Sequence, residues 1–216
     1  MAEAEDAARE PRWRRRKTAR PGEIAEAALA VFAEKGFAAA RVEDIAARAG
    51  VSKAALYRYY PTKTDLFRAV VVEAVAPNID RIQALADAYP GKLADLLPLV
   101  LQRLAAAAET APLGAVAKMV IGESRNFPDL ARVWHDTVAS RGLALIGGLI
   151  ERAQARGEVR TGDPRLYAVS IMGPMLLGIL WREIFEAVGG APMPLADLAA
   201  QHARTVLMGL LVGEQP

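Results

Sequence analysis

Apolar positions recur at helical spacing along the chain from residue 21 onward, and the points where that spacing resets divide it into segments. Ile24, Ala28, Val31 and Phe32 form the inner face of a first helix over residues 21–35, which Gly36 ends, and Phe37 completes a small core. Val42, Ile45, Ala46 and Ala49 fall at i, i+3, i+4 and i+7, a single apolar stripe on a helix of about two turns. Gly50 supplies the positive-φ position that stops it. Ser52 is a natural N-cap for a third helix, on which Leu56 and Tyr60 share an inward face while Lys53, Ala54, Tyr57 and Arg58 lie on another. Thr62 then caps a fourth, with Asp65 completing a Thr-x-x-Asp variant of the capping box. Leu66, Phe67, Val70 and Val71 face inward on it, and Pro77 is expected to end or kink it.

Two short helices joined by one glycine turn read as a helix-turn-helix, and the rest of the chain is helical in pattern as well. Residues 93–109 make a buried helix with Pro98 in its early turns, and 113–123 a shorter one after Pro112. Residues 129–156 are amphipathic through Leu130, Val133, Trp134, Val138, Leu145, Ile146, Leu149 and Ile150, and stop at Gly157. Asp163 followed by Pro164 marks the next start. From Tyr167 to Trp181 there is no charge, but this run of about 15 residues falls short of the ~20 needed to span a bilayer. Gly173-Pro174 also interrupts it, so a buried or subunit-facing helix is expected and no membrane partner. In the last helix, 195–212, Leu195, Leu198, Val206, Leu207, Leu210 and Leu211 with Gly209 exceed what one core face uses, which suits a four-helix homodimer interface. With no β-type alternation anywhere, the fold expected is all-α.

Composition narrows the chemistry. Over 216 residues there is no cysteine, which removes disulfides, thiol nucleophiles and Cys-based metal sites and fits a reducing compartment; without a signal-like start the protein is expected to be cytoplasmic. The two histidines, His135 and His202, stand alone in separate helical patterns, and neither a Walker loop nor a GxSxG elbow is present. No catalytic residue, metal ligand or cofactor is therefore assigned, and the protein is not expected to be an enzyme. The net charge of +2 is unevenly spread: residues 1–68 hold 14 Lys+Arg against 10 Asp+Glu, and the remainder 13 against 15.

That excess lies where the helix-turn-helix is. Glu23 opens the first helix and Glu43-Asp44 the second, as the helix dipole favours, but the third has Lys53 in its first turn and no acid. Lys53 is either a solvated charge or a sign that an anion comes to sit beside it. Lys53 and Lys63 bracket Tyr57, Tyr59 and Tyr60, a set suited to a phosphate backbone. Ahead of the first helix runs Arg12-Trp13-Arg14-Arg15-Arg16-Lys17 and then Arg20: either a solubilising tail or a minor-groove arm whose Arg14, Arg15 and Arg16 are drawn by the groove's potential.

The order Asp44-Ile45-Ala46, Ala49-Gly50-Val51-Ser52-Lys53, Leu56-Tyr57 and Lys63 resembles the helix-turn-helix of the TetR/AcrR family of bacterial transcriptional regulators. The segment from Gly122 to Leu130 is similar to an AefR-like C-terminal domain. The resemblance implies three parts: an arm over 1–20, a DNA-binding domain over 21–68, and a helical ligand-binding and dimerisation domain over 69–216. It implies that Ser52, Lys53, Tyr57, Tyr59 and Lys63 meet DNA, mostly phosphates, and that Arg58 reaches bases. The family commonly has Thr where this chain has Ala40, and often Gly-Thr where it has Ala54-Ala55; the small Ala54 permits close approach or contact with a thymine methyl.

The function expected is a ligand-released repressor, bound as a homodimer to a palindromic double-stranded DNA operator. The alternative is an architectural DNA-binding protein without small-molecule control. An apolar effector pocket is expected between the fourth helix and those beginning near 113, 129 and 164, bounded by Met119, Trp134, Met172, Met175 and Trp181, with Glu123 or Thr137 supplying polar discrimination for a small apolar or aromatic ligand.

Overall fold

The computed structural model describes residues 21–212, and these form helices α1 to α11. The arginine-rich stretch holding Arg14, Arg15 and Arg16 lies outside the described residues. Helices α1 (Pro21–Ala39), α2 (Val42–Arg48), α3 (Lys53–Tyr59) and α4 (Lys63–Val70) make the N-terminal unit. Gly36 breaks α1 with φ 75° and ψ 168°, so the helix is regular only up to Lys35. The α2–α3 turn is a Schellman closure: Val51 N–H reaches the Ala46 carbonyl and Gly50 N–H that of Ala47, with Gly50 at φ 68°. Ser52 Oγ accepts from Ala55 N at 3.1 Å, and Thr62 and Asp65 form the reciprocal capping box. Phe32, Phe37 and Phe67, all buried, pack edge-on or tilted at 5.4–6.3 Å between centroids to form the heart of this unit.

The chain does not stop at Pro77. After α4 it passes through a π-helical turn, Val71–Val75, directly into α5 (Ala76–Ala88). A proline lacks the N–H and crowds the carbonyl four residues back; in the first turn of α5 the missing donor costs little, and the wider π turn relieves the crowding. Then follow α6 (Leu93–Thr110), α7 (Leu113–Glu123) and α8 (Pro128–Trp134). A second π turn, His135–Ala139, leads into α9 (Ser140–Ala155) and lies against the first. Helix α10 (Pro164–Ile184) runs through Gly173-Pro174 without a break, contrary to expectation. The carbonyl that loses its partner belongs to Ser170, an exposed residue where water can replace it. Helix α11 (Leu195–Leu210) completes the set, and Val159 makes a lone antiparallel bridge to Leu211.

One apolar cluster runs without interruption from Ile24 on α1 to Leu210 on α11. The N-terminal unit is thus seated on the C-terminal helices rather than tethered beside them. Among the described residues one helical stretch, Pro164–Val188, is long and apolar enough by length and composition to cross a membrane. Its inner side packs on α7, α9 and α11. Its outer side carries Leu166 and Leu177, both more than 60% exposed, and Met208 of α11 is 84% exposed.

Candidate nucleic-acid interface and apolar cavity

Helix α3 turns a polar and aromatic face outward because Leu56, fully buried, is its one anchor in the core. Ser52, Lys53, Ala54, Tyr57, Arg58 and Tyr59 are all exposed, six of the seven DNA-contact positions expected on α3 and α4. Lys53 has found an anion within the chain, forming a salt bridge with Glu43 of α2. That hydrogen bond holds the Glu43 carboxyl below its ordinary range and the Lys53 ammonium above its own. The acid opening α2 was visible in the sequence as a dipole partner; that it also reaches the next helix was not. Lys53 stands 5.7 Å from the Tyr57 ring centroid, and the Arg58 guanidinium 5.4 Å from that of Tyr59, so each cation is pre-positioned by an aromatic neighbour. Tyr60 is partly buried, with its hydroxyl 3.4 Å from the Pro21 carbonyl, and leaves two tyrosines rather than three on the outer face.

Lys63 is placed differently from expectation. Its ammonium donates to the carbonyls of Phe37 (2.6 Å), Ala38 (3.2 Å) and Ala40 (3.1 Å), using all three of its protons. It also lies 4.6 Å from the Phe37 ring centroid. Desolvation pushes its pKa below the ordinary lysine value, opposed by the nearby Glu123 charge. Glu123, expected at a ligand pocket, belongs to the same arrangement: its two oxygens accept from Phe37 N (2.7 Å) and Ala38 N (2.6 Å).

An apolar cavity of 310 Å³ is bounded by Val75 of the first π turn, α5, Leu104, α7, Trp134, the second π turn, α9 and α10. Its wall is apolar except for Asn78, whose amide is turned to the Ala74 and Val75 carbonyls and to Arg81, and the Trp134 indole N–H. Of the seven residues expected there, Trp134 and Met172 line it. Met119 and Met175 are buried in the core away from it, because Leu113 and Ala117 on α7, and Met172, Leu176 and Ile179 on α10, occupy the helix faces turned to the cavity. Thr137 sits in the second π turn without reaching the wall. Trp181 is engaged elsewhere, its indole donating to the Ala191 carbonyl at 2.9 Å and its ring 4.8 Å from that of Phe185. Neither histidine is part of the wall: His135 pairs with Asp136, and His202 Nε2–H donates to the Ile171 carbonyl at 3.0 Å.

Two family models match this chain: residues 24–70 fit "Bacterial regulatory proteins, tetR family", and residues 90–187 fit "Tetracyclin repressor-like, C-terminal domain". The chain belongs to the TetR family. Among TetR-family relatives, it is 29% identical over 139 residues to the HTH-type transcriptional repressor KstR of Rhodococcus jostii, covering 64% of this chain and 59% of that one. The chain spans 24% of the length of the HTH-type transcriptional activator FasR of Mycolicibacterium smegmatis and 59% of that of KstR, less than two thirds of either relative. A TetR-family regulator from Mesorhizobium loti superposes with a TM-score of 0.74 at 26% identity, over 89% of this chain and 96% of that one. FadR from Bacillus subtilis, solved in complex with stearoyl-CoA, shares the fold with a TM-score of 0.74 at 21% identity, over 88% and 99%.

Proposed function

We propose that this TetR-family chain is a repressor that binds a palindromic DNA operator as a homodimer and releases it when a neutral apolar or aromatic molecule enters the cavity. The observation that carries the reading is the pairing of an outward α3 face with an apolar cavity walled by the helix, α5, that continues α4. An architectural DNA-binding protein has no use for a 310 Å³ apolar space beside that continuous helix. The space lacks a charged wall residue, so an ionised group inside it would lie unpaired in a desolvated site. The acyl chain of the ligand named for B. subtilis FadR is of the expected apolar kind. Dimerisation through α10 and α11 accounts for Leu166, Leu177 and Met208 standing in water in the single chain. Two recognition helices then meet half-sites about 10 bp apart, in successive major grooves. The arm over 1–20, as a minor-groove contact, belongs to the same reading.

Binding-site selection from genomic fragments supplies the operator, and ligand titration against it tests release. Because Trp134 lines the cavity and Trp181 does not, Trp181→Phe should keep the effector-linked fluorescence change and Trp134→Phe should remove it. A change that survives Trp134→Phe, or a Leu177→Arg protein that scatters light as a monomer yet binds operator undiminished, would overturn the proposal.

A further inference from the structure

The segment joining α1 to α2 is held from both sides by residues that lie outside it. Its N–H groups at Phe37 and Ala38 are taken by the two oxygens of Glu123, the last residue of α7. Its carbonyls at Phe37, Ala38 and Ala40 are taken by Lys63 from the start of α4. The Phe37 ring packs at 5.1 Å on Phe127, which precedes α8. Gly36 admits the approach: a Cβ built there would lie 2.8 Å from Glu123 Oε1. The Glu123 pair of side-chain hydrogen bonds joins the N-terminal unit to the C-terminal helices. The far end of α7 is the cavity wall, through Leu113 and Ala117, and Ala117 is roughly 9 Å along the helix from Glu123.

We infer that Glu123 is the positioning residue of the helix-turn-helix: its paired hydrogen bonds fix the α1–α2 corner on α7, and with it the α2 and α3 that follow, and a displacement of α7 on filling the cavity passes to the recognition helix through them. The relay half of this inference rests on the effector reading of the cavity; the latch half does not. A rigid helix with a ligand wall at one end and a bidentate anchor at the other is a two-ended lever, and the anchor gives the differential contact that coupling between sites requires. A second route, along α4 and α5, passes through the π turn Val71–Val75.

Amide hydrogen exchange resolved to single residues tests both halves, in the full-length protein. Glu123→Ala should speed exchange at Phe37 and Ala38 about tenfold relative to wild type, and Glu123→Gln, which keeps one acceptor, should restore one of the two. Glu183→Gln, which breaks the exposed Lys118–Glu183 pair on the other side of α7, should leave both amides unchanged. Wild-type rates in Glu123→Ala would overturn the latch. For the relay, the probe is N-phenyl-1-naphthylamine, a neutral aromatic whose fluorescence reports its own binding. Saturating the wild type should change exchange at the two amides and change operator affinity, and Glu123→Ala should lose both responses while still binding the probe. Probe binding with unchanged amides in the wild type would overturn the relay. Failure of the probe to bind would count against the effector reading instead, and Ala117→Leu, which fills the same space covalently, then decides the relay by whether those amides respond.

Discussion

Gly36→Ala is the sharpest test of how the α1–α2 corner is built. At φ 75° and ψ 168° the residue occupies a region that is essentially closed to side chains, at a cost of about 1–3 kcal/mol. The new methyl carbon would also sit 2.8 Å from Glu123 Oε1, so the carboxylate must withdraw and the N–H groups of Phe37 and Ala38 lose their acceptors. Losing charge-assisted hydrogen bonds at this half-buried place adds roughly 1–3 kcal/mol. The backbone cost is independent of what Glu123 does; the second cost is not. In a Glu123→Ala background, Gly36→Ala should therefore cost only the backbone share, leaving an interaction of about 1–2 kcal/mol in the double-mutant cycle. Thermal unfolding of the four proteins at one fixed concentration measures it, with a shift of about 2–4 °C expected per kcal/mol at this chain length. Strictly additive midpoints would show that the carboxylate and Gly36 do not constrain each other, and the account of the corner would fail.

Other expectations follow from the same geometry. Tyr57→Ala should weaken DNA binding at all sequences, whereas Arg58→Ala should relax base preference, both measured by binding-site selection at fixed salt. Lys63→Met should lower the thermal midpoint while leaving the salt slope of operator binding unchanged; a slope reduced by about one unit would mean that the ammonium leaves its three carbonyls for a phosphate. Partial desolvation of its carboxyl, aided by the neighbouring Glu26 charge, raises Glu73 above its ordinary value, so the folded state holds that proton at pH values where the unfolded chain has released it. Stability from this group thus falls as pH rises through that window, and Glu73→Gln should raise the midpoint at pH 7 but not well below the ordinary glutamate pKa. An equal gain at both pH values would refute this.

Local features were legible in the sequence because short-range chemistry decides them. Ser52, the Thr62–Asp65 box, Gly50 and the Asp163–Pro164 start each stand where their hydrogen-bonding or φ preference placed them. The prolines misled where a wider context absorbs their cost: Pro77 follows a π turn, and Pro174 strands a carbonyl at an exposed position. The cavity was legible as a place but not as a list, since Trp134 and Met172 reach it while Met175, three residues on, faces the core. In the sequence Glu123 reads as a pocket residue, and its role at the α1–α2 corner cannot be seen there. Its partners lie 85 and 86 residues away, and no periodicity carries information over that separation.

The π turn between α4 and α5 bears on how this chain can change over generations. Each π turn contains one residue more than an α-helix needs, so a single deletion within Val71–Val75 would close the ladder as ordinary α-helix without exposing any backbone group. The helix would survive with its two ends in nearly their present register, because the wider turn spans with one extra residue what an α-helix spans without it. The cost of a lost codon would instead fall on Pro77, whose ring would then crowd the carbonyl four residues back in an ordinary helix. The extra residue in those five positions secures room for Pro77 rather than the aim of the recognition helix.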